Sequence, residues 1–324
     1  MKSIESIPNA ARTFNALRSL GYDLNSSVAD VVDNAVTDKV KGKLIRVSFN
    51  LTNNGKITCR IQDDGCGMSE KQLEEAMRLG ADASYEDTDL GKFGMGMKTA
   101  SLSHCNKLTV ISKRKNGSVA GCCWDMAHVK KAGWTLFKLS PKESEEILRK
   151  ENLSIGPSGT IVFWDDLFLM DRELKALSNE GFRQNYFHRK LAQVKLHLRM
   201  VYHRFLDGSL GKSNTIKILV NDEVLKPWDP FAVHEPSTRE VPLKKELASL
   251  KIENFKEPIL IKGYILPTKE SFSSEAAWKE AKGLNSWNDS QGYYIYRANR
   301  IIRFGGWNNT KAKDEHDKLA RICL

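Results

Sequence analysis

The chain has 324 residues, of which 41% are hydrophobic and 28% are charged, and its formal net charge is +10. This composition is typical of a globular protein and excludes a disordered or collagen-like chain. The sequence has no run of about eighteen apolar residues, and its N-terminus lacks the pattern of a signal peptide. We therefore expect a cytoplasmic protein without a membrane partner, and the length favours two domains.

The positive charge is concentrated in the second half of the chain. Residues 1–170 carry 23 Lys and Arg against 21 Asp and Glu, whereas residues 171–324 carry 27 against 19. A polyanion partner such as DNA would use this charge, and a nucleotide pocket alone would not require it. Segment 181–206 is predicted to be a helix with many basic residues and no acid. Such a helix is typical either of a solvated face or of a nucleic-acid surface.

The cysteines do not form a metal-binding pattern. They stand at positions 59, 66, 105, 122, 123 and 323, with no CxxC pair and no His/Cys spacing of a zinc site. We expect reduced, mostly buried thiols.

In chain order, the first two predicted elements are helices. Residues 1–20 indicate a short arm followed by an amphipathic helix. Residues 27–35 indicate a mostly apolar helix in which Asp30 and Asn34, spaced i and i+4, lie on one face. Because an unpaired buried carboxylate is costly, these polar groups need partners, and a metal ion and water would serve. Capping or solvation of the helix is the alternative role.

A predicted hairpin follows, and it ends in a turn rich in acids and glycine. Strands at 44–51 and 56–62 are joined through Asn-Asn-Gly at 53–55. The second strand ends in Asp-Asp-Gly-Cys-Gly-Met at 63–68, a turn sequence. A helix opened by Ser69 is predicted at 69–80, and residues 81–90, with four acids, indicate an exposed loop.

The next motif is a glycine-rich turn that leads into a helix. The string GKFGMGMKTAS at 91–101 places three glycines before a helix-forming segment. Glycine permits close backbone approach to a ligand, and the first turn of a helix offers free N–H groups to an anion. This is how a phosphate-binding turn is built, although a purely structural turn has the same features.

Beyond this turn the sequence predicts strands at 107–113 and 118–125, a charged helix at 142–151 and a strand at 158–164. A domain boundary is predicted near residues 171–180, which gives domains at 1–175 and 176–324. Further strands are predicted at 215–220, 223–225, 258–265, 292–297 and 300–303, and the tail 315–324 indicates a helix passing into a strand.

The three motifs in this order resemble the ATP-binding domain shared by gyrase B, the ninety-kilodalton heat-shock chaperones, histidine kinases and MutL, known as the GHKL or Bergerat fold. ADxxDNA at 29–35 and the glycine-rich string are most similar to MORC proteins and their bacterial relatives. The resemblance implies an α+β chain, in which a Bergerat-fold α/β sandwich is followed by a transducer-like (ribosomal S5-like) α/β domain.

The resemblance also implies site residues. Asp30 would be the general base, in place of the more common glutamate, and Asn34 would be the magnesium ligand. Asp63 would accept the adenine amino group, Gly67 would keep the base pocket open, and Thr160 would lie beside the base. The resemblance places the turn residues Gly65 and Met68 with the nucleotide, and it places the phosphates at Lys92, Phe93, Gly94, Met95, Gly96, Met97 and Lys98. Asp64 is predicted only to stabilise the turn.

The resemblance implies that the protein binds ATP with magnesium and hydrolyses it slowly. Loop 81–90 would be a lid over the nucleotide, and ATP binding would join two copies of the chain into a homodimer that acts as a molecular clamp. Relatives act on DNA topology, gene silencing and, in bacteria, defence against phage. The alternative is a scaffold that holds ATP without hydrolysing it. The presence of Asp30 where relatives commonly have glutamate favours this alternative. A histidine kinase is disfavoured because only about 25 residues precede Asp30, and those enzymes place a dimerising helix there.

The last prediction concerns a lysine that reaches from the second domain to the γ-phosphate in related two-domain ATPases. The chain ends in an apolar strand without a cap, so we expect an incomplete second domain and place this lysine beyond Leu324. Lys311, Lys313 and Lys318 are the alternatives within the chain.

Overall fold

The computed structural model describes residues 3–4, 6–19, 23–37, 42–52, 55–80, 96–177, 179–253, 258–283 and 286–324. The chain divides into two compact units, Met1–Val194 with Ile216–Leu225, and Lys195–Thr215 with Lys226–Leu324. The domain limits 1–175 and 176–324 stay a prediction, and the compact units place residues 176–194 with the first unit.

The helices, in chain order, are α1 (Ala10–Arg18), α2 (Leu24–Val36), α3 (Glu70–Met77), α4 (Gly96–His104), α5 (Met126–Ala132), α6 (Pro141–Lys150), α7 (Phe168–Lys175), α8 (Glu180–Val201), α9 (His203–Leu206), α10 (Lys245–Ala248) and α11 (Glu275–Ala281). Short 3-10 helices occupy Lys269–Ser271 and Glu315–Asp317.

The strands are β1 (Leu44–Leu51), β2 (Ile57–Asp63), β3 (Lys107–Lys113), β4 (Val119–Asp125), β5 (Phe137–Leu139), β6 (Gly159–Asp165), β7 (Lys217–Val220), β8 (Glu223–Val224), β9 (Arg239–Val241), β10 (Ser249–Leu250), β11 (Ile259–Leu260), β12 (Lys262–Ile265), β13 (Gly292–Arg297), β14 (Arg300–Phe304) and β15 (Ala320–Cys323).

The first unit is built on an eight-stranded sheet in the order β5-β4-β3-β6-β2-β1-β7-β8. Its pairs are antiparallel except for β1 with β7. Successive side chains of a strand point to opposite faces, and both faces are covered here. On one face Trp164 of β6 stacks with His104 of α4, and on the other Ile161 and Phe163 form a core with Leu148 of α6.

Helix α2 lies in the first of these layers. Asp23 caps its N-terminus by accepting the N–H groups of Asn25 and Ser26 at 2.9 and 3.0 Å. Its buried Ser27 hydroxyl is 3.0 Å from Nε2 of His104, and α2 contacts both α4 and β2. The Ala35 carbonyl near the end of α2 and the Asp64 carboxylate both lie within 4 Å of the position that a Cβ atom of Gly42 would occupy, so the helix that carries Asp30 approaches the turn after β2.

Most predicted elements of the first unit are confirmed with shifts of one or two residues. Ser69 is the N-cap of α3 in a capping box with Gln72, and Ser140 caps α6 in the same way with Glu143. Helix α1 packs on its own unit, because Phe14 is buried between the rings of Trp124 and Trp134, 5.4 and 5.3 Å away.

The second unit contains a five-stranded sheet in the order β14-β13-β15-β12-β9 and a two-stranded sheet of β10 and β11. Tyr264, Tyr294 and Tyr296 pack around Phe231 on one face of the larger sheet. The buried guanidinium of Arg321 lies near the Tyr294 ring and donates to two carbonyl oxygens. The tyrosines on this face of the sheet therefore pack into the core of the second unit.

The predicted α+β architecture, with an α/β sandwich followed by a second sheet domain, is confirmed. Two boundaries were wrong. The helix predicted over 181–206 ends at Val201 and resumes as α9 after Tyr202, and the strand predicted at 258–265 is split into β11 and β12. All six cysteines are free, and all except Cys66 are buried. Among the described residues, no helix has the length and apolar character to cross a membrane.

Candidate functional site

Three polar side chains lie side by side at one end of the first sheet. Asp63 of β2 pairs in register with Thr160 of β6, and Thr160 pairs with Ser112 of β3. The Thr160 and Ser112 hydroxyls are 2.9 Å apart, and the Ser112 hydroxyl donates to the Gly159 carbonyl at 3.1 Å. The same hydroxyl accepts the Met68 N–H at 2.8 Å, which ties the turn after β2 to β3. We call Asp63, Thr160 and Ser112 the polar row.

The Asp63 carboxylate combines partial burial with specific hydrogen bonds. It accepts the N–H of Gly65 at 2.8 Å and a backbone N–H from Thr160. Burial raises the pKa of Asp63 to about 6, the nearby Asp64 adds to the rise, and the two N–H groups oppose it. A carboxylate held in this way is a strong acceptor for a ligand N–H group, because such a bond is charge-assisted.

Gly67 is required by close backbone packing. Its φ is +64°, and a Cβ atom there would lie 1.8 Å from the Lys113 carbonyl oxygen and 3.1 Å from the Gly159 nitrogen. The position that a side chain would occupy is therefore filled by β3. The approach of the turn to this strand is by itself a reason for glycine here, and the role of Gly67 in an open base pocket stays a prediction.

Asp64 belongs to the framework of the turn. Its Oδ1 accepts the backbone N–H groups of Lys43 and Leu44 at 2.7 and 2.9 Å, so it holds the start of β1. The structural role predicted for this exposed residue is in agreement with these bonds.

Helix α2 presents Asp30 and Asn34 one turn apart. Asp30 is partly buried and Asn34 is exposed. The Asn34 amide nitrogen donates to the carbonyl oxygens of Asp30 and Val31, at 3.0 and 3.4 Å. Because the nitrogen is directed at the helix backbone, Oδ1 is the atom through which Asn34 can bind a cation.

Helix α4 begins at Gly96, which is exposed, and continues through Met97, which is partly buried. Lys92, Phe93, Gly94 and Met95, as well as the predicted lid, lie outside the described residues. Their phosphate contacts stay a prediction.

Lys98 has a different environment from the one predicted. It is 2% exposed, and its ammonium donates to the carbonyl oxygens of Ala76 and Arg78, at 2.8 and 2.6 Å, at the C-terminal end of α3. Burial lowers its pKa to about 8. In this arrangement Lys98 satisfies helix carbonyls, and a phosphate contact would require the ammonium to leave them.

Polar residues at this end of the sheet also include some that the sequence did not single out. Ser112 follows an apolar run in β3, and its alignment with Thr160 depends on strand register. The Thr99 and Ser101 hydroxyls of α4 are buried, and the described part of the chain offers them no hydrogen-bond partner. Nothing in the local sequence distinguishes them from ordinary helix residues.

The metal site that the sequence predicts does not rest on a cluster of side chains. Within the described ranges there is no group of three or more His, Cys, Asp or Glu residues that could hold a metal ion. A magnesium ion commonly takes one or two protein oxygens, several waters and substrate phosphates, so Asn34 alone is compatible with its chemistry.

Comparison with known proteins identifies the segment that contains this site. Residues 22–160 match the family described as histidine kinase-, DNA gyrase B- and HSP90-like ATPase. The matched segment includes α2, the turn after β2, α4 and Thr160.

Similar sequences include three proteins of Arabidopsis thaliana. Protein MICRORCHIDIA 6 is 32% identical over 89 residues, which are 27% of this chain and 13% of the plant protein. Protein MICRORCHIDIA 2 is 27% identical over 96 residues, which are 29% of this chain and 15% of the plant protein. Protein MICRORCHIDIA 3 is 30% identical over 78 residues, which are 24% of this chain and 13% of the plant protein. The chain thus matches a small part of the length of these relatives.

Among solved structures, the ATPase region of Saccharomyces cerevisiae topoisomerase II is similar at 15% identity and a TM-score of 0.42, covering 75% of this chain and 58% of that one. The same region bound to ICRF-187 (dexrazoxane) gives 14% identity and a TM-score of 0.45, with coverage of 84% and 61%.

Proposed function

We propose that this chain is one of the histidine kinase-, DNA gyrase B- and HSP90-like ATPases, whose family model matches residues 22–160, with MORC proteins among its relatives, and that its first unit binds ATP with magnesium and hydrolyses it slowly. The observation that supports this most directly is the polar row. It lies within the matched segment, beside the turn after β2 that approaches the end of α2, and α2 carries Asp30 and Asn34.

We place the adenine base at the polar row. The Asp63 carboxylate would accept the exocyclic amino group, and the Thr160 hydroxyl, 2.9 Å from that of Ser112, would bind the base directly or through water. Gly65 and Gly67 support this placement because they bring the turn backbone close to the ends of β2 and β3. Met68 adds to it through its N–H bond to Ser112.

Magnesium would be held by Oδ1 of Asn34. The amide nitrogen of Asn34 is engaged with the helix backbone, so its oxygen is the donor, and oxygen is the ligand type that magnesium prefers. When bound, the ion would offset the negative charge of the phosphates. The phosphates themselves would lie at the turn of Lys92, Phe93, Gly94 and Met95 and at the N-terminus of α4, where Gly96 and Met97 begin the helix.

Hydrolysis would depend on Asp30, which would orient a water molecule and accept its proton. Aspartate is one methylene shorter than the glutamate common in relatives, so turnover would be slow. The Lys98 ammonium is held by carbonyls at the end of α3, which leaves Lys92 as the alternative candidate for a phosphate contact. Lys311, Lys313 and Lys318 pair with Asp317, Asp289 and Glu315, so each of these lysines would have to leave an acidic partner to contact a phosphate.

ATP binding would be coupled to closure of the lid and formation of a homodimer. The N-terminal arm supports this, because Ile4 and Ile7 are 88% and 69% exposed in a segment that precedes the packed helix α1. An apolar arm of this kind is suited to a partner subunit. DNA bound through the basic second half, a role in phage defence and a cytoplasmic location are further proposals, which rest on charge and resemblance.

The test compares binding with turnover in Asp30→Asn. We expect Mg-ATP affinity within about threefold of the unmodified protein and phosphate release reduced by about 100-fold, the usual effect of removing a general base. Asp33→Asn is the matched control, because it makes the same chemical change on the same helix.

Three outcomes are informative. Equal phosphate release from Asp30→Asn and the unmodified protein would show that Asp30 is not the base. Release no faster than in a reaction without protein, together with tight ATP binding, would favour the scaffold that holds ATP without turnover. Absence of ATP binding in the unmodified protein would contradict the proposed function.

A further inference from the structure

The first unit contains a cavity of about 610 Å³ beside the same end of the sheet. It is lined by Arg46 of β1, Gln62 and Asp63 of β2, and the loop between α6 and β6. Arg46 and Gln62 are a cross-strand pair, and Gln62 is in register with Ile161, which packs into the core on the α6 side. Strand alternation therefore directs Arg46 and Gln62 to the face opposite the polar row.

The loop that forms the outer wall is held firmly in place. Leu153 and Ile155 pack against the core on the α6 side, and the Leu153 N–H donates to the Leu148 carbonyl at 2.9 Å. The Gln62 amide donates to the Ser154 carbonyl at 2.9 Å, which joins the loop to β2. The cavity is thus formed before any ligand arrives, which reduces the entropic cost of binding.

The charge and polarity of the lining indicate the class of ligand. In the described part of the chain, no acid forms an ion pair with the exposed Arg46 guanidinium. Asp64, which also lines the cavity, already accepts the N–H groups of Lys43 and Leu44. Asp63 also lines the cavity, but strand alternation directs its side chain to the opposite face of the sheet, with the polar row. The remaining lining is largely polar and comes from Gln62 and residues 152–158, which include Asn152, Ser154 and Ser158.

We propose that this cavity is a second ligand site, which binds a small polar organic anion through its carboxylate or phosphate group. The guanidinium of Arg46 has the forked geometry that binds such groups with two hydrogen bonds. The volume is within the range of small-molecule sites, about 300 to 1,000 Å³, and the loop hydroxyl and backbone groups suit a ligand that carries hydroxyls. Apart from Asp63, which also belongs to the polar row, the lining residues are separate from those proposed to bind ATP.

The experiment is a titration followed by amide NMR signals of the deuterated, ¹⁵N-labelled protein without nucleotide. Succinate tests the carboxylate, glycerol 3-phosphate tests the phosphate ester, and glycerol is the uncharged control. We expect saturable shifts at Gln62, Ser154 and Gly156 with at least one of the two anions and none with glycerol. Arg46→Gln is expected to weaken that binding by about tenfold or more, because it removes a charge-assisted pair of bonds.

The matched control is Arg114→Gln, which removes an exposed arginine from the turn between β3 and β4 and should bind like the unmodified protein. Equal affinity in Arg46→Gln and the unmodified protein would overturn the proposal, as would no saturable shift of the loop amides with either anion. Shifts confined to α2, α4 and residues 63–68 would also overturn it while supporting an anion site in the proposed nucleotide pocket. The experiment therefore distinguishes the absence of this second ligand site from the absence of the proposed ATP site.

Discussion

Asp63→Asn should make the protein more stable and a weaker ATP binder. The carboxylate has a pKa of about 6 in the fold and an ordinary value of 3.8, so the folded state holds the proton more tightly. Stability therefore falls as pH rises through the window from 3.8 to about 6, and above it the charged carboxylate costs the fold about 3 kcal/mol at most. Asparagine is uncharged, and its Oδ1 can still accept the Gly65 N–H while the Thr160 N–H loses a charged acceptor, so most of this cost would be removed.

The same substitution should weaken ATP binding by about 10- to 100-fold. A hydrogen bond to a charged acceptor contributes about 1.5 to 3 kcal/mol, and asparagine offers only a neutral one to the adenine amino group. Higher stability together with weaker ATP binding is the result expected for a residue that serves ligand binding at a cost to the stability of the fold. Urea unfolding at pH 7.5, followed by the fluorescence of the seven tryptophans, measures the first quantity. Calorimetric titration with a non-hydrolysable ATP analogue and magnesium measures the second.

Asp64→Asn is the control for this experiment. It makes the same change one residue away, where the carboxylate is exposed and accepts the N–H groups of Lys43 and Leu44. We expect it to lower the free energy of unfolding by up to about 1 kcal/mol and to leave ATP affinity unchanged. If Asp63→Asn lowers stability and leaves affinity intact, Asp63 is a framework residue and the placement of adenine is wrong.

Two further predictions concern backbone strain and acid stability. Gly67→Ala should lower the free energy of unfolding by more than about 2 kcal/mol, because φ is +64° and the new Cβ would lie 1.8 Å from the Lys113 carbonyl oxygen; a urea midpoint within error of the unmodified protein would refute this. Burial lowers the pKa of His203 from 6.5 to about 4, so the stability that it contributes is present above pH 6.5 and is lost as pH falls towards 4, by about 3 kcal/mol at most. Asp63 changes stability in the opposite direction over much of this pH range, so the two effects must be separated. The measurement is the difference in unfolding free energy between the unmodified protein and His203→Gln from pH 7 to 4.5, and we expect this difference to shrink on acidification. A constant difference would contradict the lowered pKa of His203.

Much of the local structure followed from the sequence because its causes are local. Strand β1 was predicted at its observed limits, 44–51, as one arm of the hairpin that turns through Asn-Asn-Gly at 53–55, and β13 was predicted at 292–297. The helix opened by Ser69 has the capping box that Ser-x-x-Gln supplies. The order of the motifs was also enough to recognise the ATPase family, because each motif is short and contiguous.

What only the tertiary structure decided is where side chains with several possible partners go. Lys98 was expected at phosphate and lies instead against carbonyl oxygens of Ala76 and Arg78, about twenty residues earlier in the chain. Asn221 lies between the predicted strands 215–220 and 223–225, and its side chain donates to the Phe49 carbonyl at 2.9 Å and accepts the Phe49 N–H at 2.8 Å, beside the parallel pairing of β7 with β1. A lysine or an asparagine satisfies its hydrogen bonds with whichever groups the fold brings near. Those groups are distant in sequence, so periodicity and turn chemistry, which act over a few residues, cannot identify them.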